Sequence, residues 1–199
     1  MSNITNNNIE RHPFQPLVSP NVKVMIIGSF PPPRSKWRME FYYPNFYNDM
    51  WRIFGLAFFD NKEYFLSKNE TSFDVELLKS FLAEKGIGIA DMGKEIIRLR
   101  GNASDQFLKI VKPLNITELL LDMPKCHAFI TAGQKATDTL RMHISNKIKQ
   151  PSVGGRESFK YLDREFTIYR MPSSSRAYPM PVSEKAEIYR ECFVDLGIV

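Results

Sequence analysis

The run Val22–Gly28, VKVMIIG, constrains this chain more than any other stretch. It is short, rich in Val and Ile, and closed by glycine, as a strand buried on both faces should be. Ser29 and Phe30 follow, and then three prolines, Pro31, Pro32 and Pro33. Proline is poor material for a central strand but fixes a loop in one shape. A buried strand that runs straight into a stiff loop suits an α/β fold. In such folds the ligand crevice lies at the carboxyl ends of the strands.

The rest of the chain repeats that plan. GIGIAD (residues 86–91) and CHAFIT (126–131) read as further short strands. ESFKYLDREFTIYRMP alternates well enough for two more, around the polar turn Leu162–Glu165. Between them lie helical patterns. NDMWRIFGLAFF carries Met50, Trp51 and Phe54 on one side. VELLKSFLAEKG has Asp74 as N-cap and Gly86 as its stop. DQFLKIVK reads as a helix capped by Ser104 and ended by Pro113. Asn115 and Glu118 have the spacing of a capping box before a short helix. QKATDTLRMHIS lines Ala136, Leu140 and Ile144 on one face, and a last helix starts near Ser183 and stops at Gly197. Strands alternating with helices predict a three-layer α/β/α architecture with a mostly parallel central sheet. Residues 1–20 read as a flexible polar arm and 21–199 as a single domain. Four strand-end loops, GSFPPP, DMGK, TAGQK and MPSSSRAYP, are expected to converge.

Composition excludes several classes. No apolar run reaches the length of a membrane span, and the N-terminus lacks a signal-peptide core, so a cytoplasmic protein is expected. The 2 cysteines are too few for a disulfide framework, and the 3 histidines show no metal-ligand spacing. The expectation is a monomer without metal or cofactor. The net charge of +5 permits a polyanionic partner without requiring one. Arg34, Lys36 and Arg38 follow the prolines, Arg98 and Arg100 adjoin Gly101–Ser104, and Arg176 sits in a serine-rich loop. Aromatics interleave with several of them. Phosphates call for the cations and unstacked bases for the rings, although solvated loops have the same composition.

The order and spacing of several short motifs resemble the uracil-DNA glycosylase superfamily across residues 22–196. GSFPP (28–32) stands where the superfamily carries a Gly-x-(Asp/Asn)-Pro-(Gly/Tyr) loop. FYYPNFYNDMW (41–51) is similar to a Tyr-Tyr-x-x-x-x-Asn-x-x-Trp stretch of the hypoxanthine (deoxyinosine) glycosylase branch. GIGIAD falls at the base-reading strand, TAGQKA (131–136) matches a further loop, and MPSSSRA (171–177) is close to that branch's Leu-Pro-Ser-Thr-Ser-Pro-Ala loop.

The resemblance implies a monofunctional DNA glycosylase of base-excision repair. It would flip a deaminated base of DNA out of its stack, at a cost of a few kcal/mol, and hydrolyse its N-glycosidic bond. Gly28, Ser29, Phe30 and Tyr43 would wall the base, with Tyr42 able to exchange roles with Tyr43. Asn48 would hold the attacking water, or cap the following helix, or both. Asp91 would accept an N–H from the base edge, or serve as general base if Asn48 does not. Arg34, Arg38, Arg100, Ser173, Ser174, Ser175 and Arg176 would grip DNA phosphates. Ala177 and Tyr178 would fill the gap left by the flipped base. The departures are equally specific. Phe30 stands where many relatives have a water-activating Asp or Asn, and Met171 where the most active uracil enzymes have a histidine. Pro32 replaces a glycine, and NFYN lacks a histidine–proline pair. These losses fit the deoxyinosine branch, and they fit an inactive base-binding module as well. The cluster-bearing subfamilies are excluded, because two cysteines cannot replace four.

Overall fold

The structure, a computed structural model, describes residues 9–100 and 105–199. Its centre is a five-stranded sheet with the order β3-β2-β6-β8-β7. The strands are β2 (Val24–Gly28), β3 (Ile87–Asp91), β6 (Ala128–Ala132), β7 (Arg156–Tyr161) and β8 (Arg164–Met171). The first three and β8 run parallel; β7 is an antiparallel edge. A second sheet holds β1 (Ile9–Arg11), β4 (Gly93–Arg98) and β5 (Leu108–Pro113) in the order β1-β4-β5. The helices are α1 (Met50–Phe59), α2 (Val75–Lys85), α3 (Ile116–Leu121), α4 (Gln134–Ile144) and α5 (Val182–Asp195).

The pleat of β2 explains the layers. Successive side chains of a strand point to opposite faces. Val24 and Ile26 join one core, with Trp51 and Phe54 of α1, Leu78 and Phe81 of α2, and Tyr189 and Phe193 of α5. Met25 and Ile27 join the other, with Ile116 and Leu120 of α3 and Ala136 and Leu140 of α4. Burying each large apolar side chain contributes about 1.5–3 kcal/mol, so both faces of this strand hold helices in place. The expected α/β/α fold with a mostly parallel sheet is the one observed.

Local chemistry sets the ends of the elements. The Asp74 carboxylate accepts the Leu77 N–H at 3.0 Å, and Gly86 closes α2 with φ 68°. Asn115 accepts the Thr117 and Glu118 N–H groups at the start of α3. Leu162 and Asp163 both have positive φ, which makes the tight hairpin between β7 and β8.

Two expectations fail. Asp105–Phe107 is a single 3-10 turn, and Leu108–Pro113 is a strand, where DQFLKIVK predicts a helix. The β-branched Ile110 and Val111 lie in β5, which pairs with β4 along its length. The proposed cap, Ser104, lies outside the described residues. The stretch read as a polar arm is also docked from Ile9 onward. Ile9, Glu10 and Arg11 pair with Ile97, Ile96 and Glu95. Leu17 exchanges two backbone hydrogen bonds with Ile89, at 2.9 and 3.1 Å, which covers the open edge of β3.

Candidate active site

Four strand ends meet at one opening. Gly28 ends β2 in register with Asp91 at the end of β3, and Ala132 ends β6 beside Met171 of β8. The loops beyond them enclose a cavity of about 640 Å³. Gly28, Ser29 and Phe30 line it from the first loop, Asp91 from the second, Ala132 from the third, and Ser173, Ser174, Ser175 and Tyr178 from the last. Tyr43, Asn45 and Asn48 line it from the segment before α1, and Asp105 enters from the 3-10 turn ahead of β5. The volume falls in the range of small-ligand clefts, about 300–1,000 Å³.

The floor is polar and crowded. A Cβ on Gly28 would stand 2.1 Å from Asp91 Oδ1 and 3.1 Å from the Tyr43 hydroxyl, so both atoms occupy the space over this glycine. The Tyr43 hydroxyl is buried without a hydrogen-bond partner. Burial first, and then the neighbouring Asp91, raises its pKa well above the usual tyrosine value, so it stays a neutral donor. Its backbone is left-handed, with φ 52°. A bulky residue held there costs about 1–3 kcal/mol, and such strain clusters at ligand clamps and active sites.

Asp91 is held from behind. His12 Nε2 lies 2.9 Å from Asp91 Oδ2, and both side chains are 8% exposed. A carboxylate only accepts, so the imidazole donates through Nε2. The other ring nitrogen, Nδ1, lies 3.1 Å from the Phe14 N–H and 2.8 Å from its carbonyl. A neutral ring accepts the N–H and an imidazolium donates to the carbonyl; Nε2 carries a proton in either state. With Oδ2 engaged, Oδ1 is left to face the cavity.

Asp105 is the second carboxyl on the cavity. Its Oδ1 accepts the Ser29 hydroxyl at 2.7 Å. Burial is the main cause of its raised pKa; Asp91 raises it further, while Ser29, Lys135 and Arg98 oppose. Asn48 Oδ1 accepts the Met50 N–H at 2.9 Å, an Asx turn one residue ahead of Asp49, the N-cap of α1, and Asn48 also lines the cavity.

The serine loop is clamped to α1. The Asp49 N–H donates to the Ser174 carbonyl at 2.9 Å. The Asp49 carboxylate receives Arg176 Nε at 3.1 Å and Lys185 Nζ at 3.2 Å, and Lys185 also donates to the Ser175 carbonyl at 2.9 Å. Lys185 is fully buried. The Ser173 and Ser175 hydroxyl oxygens accept the Ser175 and Ala177 N–H groups at 3.3 and 3.2 Å, which stiffens the same loop. Arg176 is thus tied to Asp49 at the loop's base while its side chain stays 49% exposed.

The expected phosphate-binding cations are distributed unevenly. Lys36 lines the cavity; Arg34 and Arg38 are exposed nearby. Arg34 is paired with Glu40 at 2.7 Å and lies over the Trp37 ring. Arg100 is exposed and stacks on Phe107 at 4.0 Å. Tyr42 does not line the cavity. Its hydroxyl donates to the Gln15 carbonyl at 3.1 Å and its ring stacks on His12, so it cannot exchange roles with Tyr43. Met171 is buried in the core and contributes nothing to the lining. His12, Asp49, Asp105 and Lys185 are the residues that sequence reasoning passed over. Among the described residues no group of three or more His, Cys, Asp or Glu could hold a metal ion, and no helix is long and apolar enough to cross a membrane.

The solution NMR structure of a "putative Uracil DNA glycosylase" from Methanosarcina acetivorans matches this fold with a TM-score of 0.62. The match covers 95% of this chain and 99% of that one, at 22% sequence identity. No protein-family model matches the chain, and no curated protein matches it. The chain therefore has a uracil-DNA glycosylase-like fold.

Proposed function

We propose that this protein is a monofunctional DNA glycosylase that removes a deaminated base, hypoxanthine, uracil or xanthine, by flipping it into the cavity. One observation carries this reading: the loops that resemble glycosylase motifs all border the same hollow, with Tyr43, Asn48 and Asp91 on its wall. The likeness of fold supports it. Phe30 supplies an apolar wall and Tyr43 an aromatic ring with an unpartnered hydroxyl for the base. The Ser173–Ser175 loop, Lys36, Arg38 and Arg176 hold the flanking phosphates.

Cleavage of the C1′–N bond builds positive charge on the sugar. The Asp91 carboxylate, oriented by His12, stabilises that charge and takes the proton of the water that adds to C1′. The Asn48 amide cannot serve as a base; its N–H groups orient the water or the sugar. No cofactor enters the reaction.

The test is an incubation of purified protein with duplexes carrying each base, followed by alkali. Strand breaks at the modified position that vanish in Asp91→Ala and fall in Asn48→Ala uphold the enzyme. Tight binding without breaks identifies a base-binding module instead. Binding to DNA should weaken steeply with salt if the basic rim meets phosphates; affinity that is negligible at low salt rules out both readings.

A further inference from the structure

A base expelled from C1′ leaves as an anion unless a proton reaches it. Met171, at the position where the most active uracil enzymes place a histidine that stabilises the leaving base, is buried away from the cavity. Asp105 is placed to fill the gap. It lines the same cavity as Asp91 but comes from a different segment, the 3-10 turn that leads into β5. Its hydrogen-bond partner Ser29 is a neutral hydroxyl, whereas Asp91 is bound by an imidazole. Ser29, from the loop after β2, is hydrogen-bonded to it, and the charges of Asp91 from β3, Arg98 from β4 and Lys135 from α4 act on it from a greater distance. Two carboxyls in one site, one paired with a histidine and one with a hydroxyl, have the environments that separate an acid from a base.

Resting on the glycosylase reading above, we propose that Asp105 is the general acid that protonates the leaving base. As the C1′–N bond breaks, its electron pair departs with the base, and the Asp105 O–H proton passes to a ring nitrogen or oxygen of that base. Water adds to C1′ and gives a proton to Asp91. The products are the neutral free base and an abasic sugar. Transfer of the proton from Asp91 through solvent to Asp105 restores the enzyme. Burial of Asp105, which favours its protonated form, agrees with the assignment.

The experiment is single-turnover base release by wild type and Asp105→Asn from paired substrates that differ in the acidity of the leaving base. The pairs are uracil against 5-fluorouracil, and hypoxanthine against xanthine. Loss of a general acid should slow the poorer leaving base by about 10²-fold or more, while the more acidic partner of each pair loses much less. The alkaline fall in the wild-type rate should also disappear in the variant. An equal loss on both members of a pair, or no loss, overturns the acid role and leaves the glycosylase reading standing. Wild-type protein that releases no base from any duplex overturns both.

Discussion

Gly28 Cα and Asp91 Oδ1 are packed so closely that no side chain fits between them: a methyl group on the glycine would lie 2.1 Å from that oxygen. The carboxylate can make room for that methyl group only by giving up its place and its bond to His12 through the other oxygen. Gly28→Ala should therefore displace Asp91 from the cavity floor. We expect base release to fall by about 10²-fold, the scale of a reacting group misplaced by about 1 Å. Circular dichroism should be unchanged, since Gly28 needs no unusual backbone geometry. Unchanged activity would mean that the position of Asp91 does not matter.

His12→Ala removes the only histidine on this carboxylate and leaves a largely buried acceptor short of a partner. The expected loss of stability is about 1–3 kcal/mol, read from urea denaturation. Base release should fall too, and His12→Gln, which keeps an N–H donor near the same place, should recover part of both. A stability loss without any change in the pH–rate profile would reduce His12 to a structural role.

Asp49→Ala should be among the most damaging single changes outside the cavity. It leaves Lys185, which is fully buried, without its carboxylate partner, facing the Ser175 carbonyl and the Tyr178 ring. Breaking such a buried pair costs about 3–5 kcal/mol. The double change Asp49→Asn with Lys185→Met removes both charges and should cost far less than the sum of the singles. A double-mutant cycle in denaturant measures the coupling; simple additivity would show that the pair contributes nothing.

Asp105 makes stability depend on pH in a defined direction. Burial raises its folded pKa above that of a free aspartate, so the native state holds the proton more tightly than the unfolded chain. Its contribution is complete below the unfolded value and is lost as pH rises through the folded one. Asp105→Asn should thus gain stability relative to wild type as pH climbs from about 4 towards neutrality, with that relative gain absent in more acid solution. Denaturation midpoints across this range provide the check, and a gain that grows toward acid pH would contradict it.

The central architecture was legible because its signals are local. Apolar strands such as Val24–Gly28, the caps Asp74 and Asn115, and the stop at Gly86 each declare an element within a few residues. Once the strands are parallel, their ends must gather, and Asp91 and Ser173 come together without further information. The second sheet had no such signal. Leu108–Lys112 mixes apolar and basic residues in a pattern that suits either a helix or a strand, and only pairing with β4, across the chain, decides between them. Asp105 was hidden by the same error. His12 lies in a polar stretch whose docking depends on β4 and Ile89, both more than 70 positions away. Lys185 sits on a helix where lysine usually faces water, and its burial follows from Asp49 alone among nearby carboxylates. Catalytic neighbours contributed by distant segments leave no periodicity to read.

The parallel register that sets Gly28 opposite Asp91 has an evolutionary corollary. Residues of a strand alternate between its two sides, so one amino acid gained or lost inside β3 would turn the carboxylate toward a helical layer, a gain bringing Ala90 and a loss bringing Met92 to the mouth of the crevice. Descendants of this chain can lengthen their loops freely, yet Ile87–Asp91 tolerates no single-residue indel while the chemistry survives.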